Sequence, residues 1–310
     1  AEAVADLIDA GSQAAAQAAS QALQGVFSER VHSVTQQLIA LRMFIESALD
    51  FPEEEIDFLS DARLITQSVQ LIDHIDELLS ETQQGVLLRE GMRVAIVGQP
   101  NAGKSSLLNQ LAGDDRAIVT DIPGTTRDVL RAEIQIDGLP VHIIDTAGLR
   151  ESDDPIEREG IRRAWREVEQ ADAVLFLQDR AMLPRKYTIW VFNKIDLSGR
   201  PAGFDQEKIH LGISAKTGAG IKELRAHLKE IMGYQSTEGG QFIARRRHLD
   251  ALLGAQKEII SAHSALTTQS AGELAAESLR RAQLALDEIT GKFTADDLLG
   301  EIFSNFCIGK

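Results

Sequence analysis

The chain has 310 residues, long enough for two domains with separate cores. Its 47 acidic residues against 32 Lys and Arg leave a formal net charge of −15, which argues against a broad nucleic-acid footprint, because phosphate backbones are bound mainly by Lys and Arg. No run approaches the length of a membrane span, and the single cysteine, Cys307, has no partner for an internal disulfide, which fits a reducing cytoplasm.

The opening AEAVADLIDA has neither a basic nor a long apolar region, so it does not read as a signal peptide; lacking Met, it reads as the start of a fragment. Val31, Val34, Leu38, Leu41, Ile45 and Leu49 recur at three- and four-residue steps and predict one apolar helical stripe. The pattern breaks at Asp50-Phe51-Pro52. Glu53, Glu54 and Glu55 then stand where a helix start favours negative charge. A second helical region carries Ile56, Leu59, Arg63, Val69, Ile72, Ile75 and Leu79.

The pattern changes at Glu90-Gly91. Short β-branched runs follow at 93–97, 141–144, 173–177 and 188–192, with a shorter one at 211–213. Helical stretches between several of them predict an α/β domain with a mostly parallel sheet. After Gly233 helical periodicity returns, crossing Glu238-Gly239-Gly240 and continuing to Lys310. The expected division is a helical segment over 1–90, an α/β domain over 91–233 and a second helical segment over 234–310. Two similar helical halves suggest one all-α domain with the α/β domain inserted; two separate helical domains are the alternative. Only seven residues separate Asp179 from Tyr187. A parallel crossover needs about a dozen, so either the two strands are not joined in the usual way or, the favoured reading, a helix is missing from the sequence there. The basic run Ala244–His248 reads either as a solvated helix face or as a small patch for an anionic partner.

Gly98-Gln99-Pro100-Asn101-Ala102-Gly103-Lys104-Ser105 matches a phosphate-binding loop, placed after a strand and before a helix that starts with Ser106. Its glycines let backbone amides face phosphates, and the helix adds its positive end. Lys104 is expected to reach the β- and γ-phosphates, and Ser105 to offer a hydroxyl to Mg²⁺. Asp145-Thr146-Ala147-Gly148 follows a strand; Asp145 suits a water-bridged Mg²⁺, and the Gly148 amide suits the γ-phosphate. Asn193-Lys194-Ile195-Asp196 selects the base: the Asp196 carboxylate accepts two hydrogen bonds from guanine, which adenine cannot supply. A site built around such donors rejects an analogue by about 10⁴-fold or more. Asn193 is expected to brace the loop and the Lys194 stem to lie over the base. In Ser214-Ala215-Lys216 the Ala215 amide is expected to meet guanine O6. Together the motifs predict an α/β P-loop GTPase (Ras-like) domain binding GTP and GDP, inserted into an all-α helical domain.

Many GTPases place a glutamine after D-x-x-G to orient the attacking water; here that position is Leu149, which cannot hydrogen-bond. Arg127, Arg150, Glu151, Asp153, Asp154, Glu157 and Arg158 are the nearby charged groups. Arg127 follows the loop Asp121-Ile122-Pro123-Gly124-Thr125-Thr126, where a threonine is expected to close on Mg²⁺.

The ordered set PNAGKSSLLN, DIPGTTRD, DTAGLR, NKID and SAK, with flanking helices and the ending Phe306-Cys307-Ile308-Gly309-Lys310, resembles the MnmE (TrmE) family of tRNA-modification GTPases. The likeness extends to DFPEEEIDFLS, ARRRHL and DEITGKFTADDLLGEIF. It implies a cytoplasmic homodimer that pairs its G domains in the transition state with the help of K⁺. It also implies an FAD-containing partner, MnmG (GidA), and modification of a tRNA wobble uridine at C5. By the same resemblance Asn101, Thr120, Ile122 and Thr125 look like K⁺ ligands, and Ser105 and Thr126 like Mg²⁺ ligands. Glu157 looks like the residue that orients the attacking water. Cys307 and Lys310 look like residues of the modification site. The family's one-carbon folate binds a domain absent from this sequence. A ribosome-assembly GTPase would need a strongly basic RNA-binding module, and a dynamin-like scaffold a membrane-binding surface; neither pattern is found.

Overall fold

Helical periodicity and strand-like runs sort into two units in the computed structural model, which describes residues 2–50, 62–113, 130–145, 162, 165–177, 188–235, 242–268 and 271–290. In chain order the helices are α1 (Glu2–Ile8), α2 (Gln13–Leu23), α3 (Val26–Asp50), α4 (Ala62–Glu90), α5 (Lys104–Ala112), α6 (Ile195–Ser198), α7 (Ile221–Met232), α8 (Arg246–Thr268) and α9 (Gly272–Thr290). The strands are β1 (Met92–Gly98), β2 (Leu130–Ile136), β3 (Leu139–Asp145), β4 (Ala173–Leu177), β5 (Thr188–Phe192), β6 (Gly203–Phe204) and β7 (His210–Gly212). One unit takes Ala1–Ala18 and Leu87–Gly240, the other Ala19–Val86 and Gln241–Lys310.

The helical unit has one core drawn from both flanks of the sequence. Val31, Val34, Leu38, Leu41 and Ile45 of α3 share it with Leu71 and Ile75 of α4, Leu252 and Ile259 of α8, and Leu279 and Leu286 of α9. This is one helical domain interrupted by the α/β domain, not two. The α3 stripe is buried as its spacing predicts, and Leu49 packs half-buried against it. In α4 the inner face differs from the expectation. Leu64, Leu71, Ile75, Leu78, Leu79 and Val86 are buried, whereas Val69 is 41% exposed. At 3.6 residues per turn Val69 lies about 140° around the helix from Leu64, on the outer side.

The α/β unit is a seven-stranded sheet in the order β2-β3-β1-β4-β5-β7-β6. β1 pairs in parallel with β3 and β4, and β5 and β7 extend the parallel set. β2 and β6 close the two edges antiparallel to β3 and β7. Neither edge strand is anticipated from the sequence. Yet Leu130, Ala132, Ile134 and Ile136 alternate ahead of Asp137-Gly138, whose positive φ values of 52° and 91° suit a two-residue hairpin turn. β4 and β5 are parallel although only residues 178–187 join them, fewer than a crossover of about a dozen. Trp165 and Val168, in a helical stretch at 165–170, pack on Ala95, Val97, Ile144 and Val174 of the sheet.

Residues 1–18, expected with the helical segment, belong to the α/β unit. Arg89 Nε donates to the buried Asp6 carboxylate at 2.9 Å, and Ser12 Oγ donates to Gly138 O at 2.8 Å. Among the described residues no helix is long and apolar enough to cross a membrane.

Candidate nucleotide site

Parallel strands end on the same edge of a sheet, so the loops that follow β1, β5 and β7 gather there with the end of β3, outside the carboxyl ends, where α/β folds bind ligands. β1 is the switch point, with β3 on one side and β4 on the other. Asp145 ends β3 opposite Ile96 of β1.

The loop between β1 and α5 bends through two left-handed residues, Asn101 (φ 63°) and Gly103 (φ 95°). Asparagine tolerates that conformation better than most side chains; glycine adopts it freely. Gly103 has a second reason to lack a side chain. A Cβ there would lie 2.2 Å from Asn193 Nδ2. Because it is absent, the Asn193 amide reaches past and donates to Ala102 O at 2.9 Å. Gly103 is also the N-cap of α5 and makes no side-chain cap, so the first-turn amides of the helix add their dipole to the loop. Lys104 Nζ donates to Gly98 O at 2.9 Å and Gln99 O at 3.1 Å, holding the ammonium across the mouth of the loop.

The loop after β5 is tied to both neighbours. Lys194, left-handed at φ 64°, donates through Nζ to Asn101 O at 2.9 Å. Asn193 Oδ1 accepts from its own neighbour's amide, Lys194 N, at 2.8 Å and from Ala215 N at 3.0 Å. Ile195 N donates to Ile213 O at 3.1 Å. Ser214 is fully buried; its Oγ donates to Asp196 Oδ1 at 2.7 Å and accepts from Thr217 N at 3.2 Å. One side chain, Asn193, therefore spans the phosphate loop and the loop after β7, while Ser214 fixes the direction of the exposed Asp196 carboxylate.

Of the residues expected from sequence, the structure brings together Asn101, Ala102, Gly103, Lys104, Asn193, Lys194, Asp196, Ser214 and Ala215 through these bonds. Ser105 and Ser106 stand exposed in the first turn of α5. Lys216 follows in the turn after Ala215. The Ala215 amide is directed at Asn193 Oδ1, so pairing with guanine O6 requires it to share or exchange that bond. Thr120, Asp121, Ile122, Pro123, Gly124, Thr125, Thr126, Arg127, Thr146, Ala147, Gly148, Glu157, Cys307 and Lys310 lie outside the described residues. The sequence reading gave Asn101 and Ala102 a role but missed their carbonyls as acceptors for Lys194 and Asn193; nothing in the spacing of two motifs that far apart reveals it. Replacing Gly103 with Ala is expected to displace Asn193 and weaken guanine-nucleotide affinity by at least about tenfold, the equivalent of one hydrogen bond to a loop carbonyl, with the fold kept by circular dichroism.

The MnmE helical domain family matches residues 1–307. A tRNA modification GTPase MnmE of Yersinia pestis bv. Antiqua (strain Angola) is 54% identical, over all of this chain and 72% of its own length. The chain belongs to the MnmE family. A second family member, from Shewanella loihica, is 52% identical over all of this chain and 73% of its own. Both alignments run over 329 positions, more than the 310 residues of this chain, so the relatives carry inserted residues. Among solved structures the G domain of the T. maritima FeoB iron transporter matches 45% of this MnmE-family chain and 98% of its own, at 25% identity and a TM-score of 0.34.

Proposed function

We propose that this chain binds and hydrolyses GTP in the cytoplasm and acts in tRNA modification, at C5 of the wobble uridine, as a homodimer paired through its G domains and working with FAD-containing MnmG. The observation that carries the nucleotide reading is the Asn193 bridge: the loop that can read a purine and the loop that can hold phosphates are hydrogen-bonded to each other. Only a ligand with a base at one end and phosphates at the other engages both. The named relatives, tRNA modification GTPases, support the wider reading.

On this reading Lys104 leaves its two carbonyls for the phosphates, the first amides of α5 face the same oxygens, and Asp196 accepts from guanine N1–H and the exocyclic amine. The donor set fits a hard cation, with hydroxyls and carbonyls rather than sulfur or imidazole. Ser105 and Thr126 would hold Mg²⁺, which supplies charge neutralisation on the triphosphate. Asn101, Thr120, Ile122 and Thr125 would hold K⁺, which supplies the positive charge that an arginine finger gives other GTPases. Glu157 would take the orienting role that Leu149 cannot. Arg127 would be a further charged group available to the phosphates. Cys307 and Lys310 belong to the tRNA-modifying end of the reading.

Steady-state turnover tests the cation and dimer together. GTP hydrolysis with a dimer detected by light scattering is expected to be faster in K⁺ than in Na⁺ by on the order of 10²-fold, as for other single positive charges at a transition state. Equal rates in the two salts remove potassium from the proposal. Mass spectrometry of wobble uridines in a strain lacking the protein tests the tRNA role; unchanged C5 modification rejects it.

A further inference from the structure

β2 and β3 form a stiff arm. Seven register pairs, from Leu130↔Asp145 to Ile136↔Leu139, join the two strands. At one end β2 continues from the stretch that carries Thr125 and Thr126, and β3 ends on Asp145 itself. At the other end, about 20 Å away at the rise of a strand, is the Asp137-Gly138 turn. β2 is an edge strand, bonded in the sheet to β3 alone.

The turn is gripped from two sides, unequally. Arg225 Nη2 donates to Asp137 Oδ1 at 3.0 Å, Lys229 Nζ donates to Asp137 Oδ2, and Tyr234 Oη reaches Asp137 O at 3.5 Å. The hydrogen bond from Lys229, ahead of the other causes, holds the Asp137 carboxyl below its ordinary range, so it is ionised. On the other side stands a single hydroxyl. Ser12 Oγ donates to Gly138 O at 2.8 Å and accepts from Ala15 N at 3.0 Å, which makes it at once the tether of the turn and the N-cap of α2. Ser12 is buried, and a Cβ on Gly138 would meet Ala14 Cβ at 3.1 Å. There is no slack between the turn and the start of α2.

We propose that the β2–β3 hairpin is a lever that reports nucleotide state to α2, with the Ser12 hydroxyl as its coupling point. This rests on the reading that the chain binds GTP. β3 is also bonded to β1 from Val141 to Asp145, so the hairpin moves with this edge of the sheet, and a shift at the Asp145 end is delivered at the turn. Withdrawing Gly138 O leaves the buried Ser12 proton without an acceptor; the side chain then turns away and the cap on Ala15 N–H is lost. The first turn of α2 loosens in one nucleotide state and is capped in the other. α2 runs on from this cap as one helix to Leu23.

The test is hydrogen exchange of the α2 amides in the full chain, with GDP and with a non-hydrolysable GTP analogue, nucleotide binding being measured separately by calorimetry. Wild type is expected to exchange its first α2 turn at different rates in the two states. Ser12→Ala is expected to lose the difference with binding intact, and Ser12→Thr, which keeps the hydroxyl, to restore it. Equal exchange in wild type with both nucleotides bound overturns the proposal, and so does a difference that survives Ser12→Ala. Should Ser12→Ala fail to fold, the wild-type comparison and Ser12→Thr decide alone. Absence of nucleotide binding by wild type would instead reject the GTP reading.

Discussion

Asp196→Asn is expected to turn a guanine site into a xanthine site. Guanine offers two donors side by side, N1–H and the exocyclic amine, and a carboxylate offers two acceptors to match. The amide of asparagine offers one acceptor and one donor, so against guanine one pair becomes donor facing donor. Xanthine has a carbonyl where guanine has the amine, and the same amide satisfies it completely. A site left with an unmatched polar group loses about 10⁴-fold in discrimination. Ser214 makes the outcome sharper, since its 2.7 Å hydrogen bond to Asp196 Oδ1 and its burial hold the side chain at one angle. Isothermal titration with GTP and XTP reads the result: GTP affinity should fall by orders of magnitude while XTP binding appears. Unchanged GTP selectivity would take base recognition away from Asp196.

The parts of this site that were legible in sequence are those in which backbone conformation and chemistry coincide within a few residues. Gly103 and Lys104 are read directly, because a left-handed residue followed by a helix start with a lysine has few other uses. Asp196 and Ser214 are read as separate motifs, but the bond between them is a product of β5 and β7 lying side by side, and no local pattern encodes it. The same holds for Asn193, whose partners come from two other loops. In the fold, the buried parallel strands declared themselves as unbroken apolar runs. β2 was missed because every second position is polar, although the alternation and the Asp-Gly turn were present. Residues 1–18 were misplaced for a different reason: helical periodicity says that a helix is amphipathic, not which neighbour covers it, and a single hydroxyl at Ser12 and a carboxylate at Asp6 decide that here.

Lys104→Ala is expected to abolish turnover while leaving the fold intact. The ammonium is the charged donor that the phosphate loop itself supplies, and it already sits at the mouth of that loop, held at 2.9 and 3.1 Å from the carbonyls of Gly98 and Gln99. Those bonds keep it extended and pointed into the loop, so little conformational entropy is lost when phosphate oxygens replace the carbonyls. Charge on the phosphate oxygens must be stabilised as the bond to the γ-phosphate breaks, and a positioned donor in such a role is worth about 10²–10³ in rate. Removing one member of a hydrogen-bonded charge pair also costs about 2–5 kcal/mol of binding, a thirty-fold to several-thousand-fold loss of affinity. Lys104→Arg is not expected to rescue, because a planar fork cannot take the place of a compact ammonium on a flexible stem in so tight a loop. The two variants separate charge from shape: loss in both assigns the role to the geometry of the ammonium, and full activity in Lys104→Ala would mean that the backbone amides and the α5 dipole bind and activate the phosphates without it.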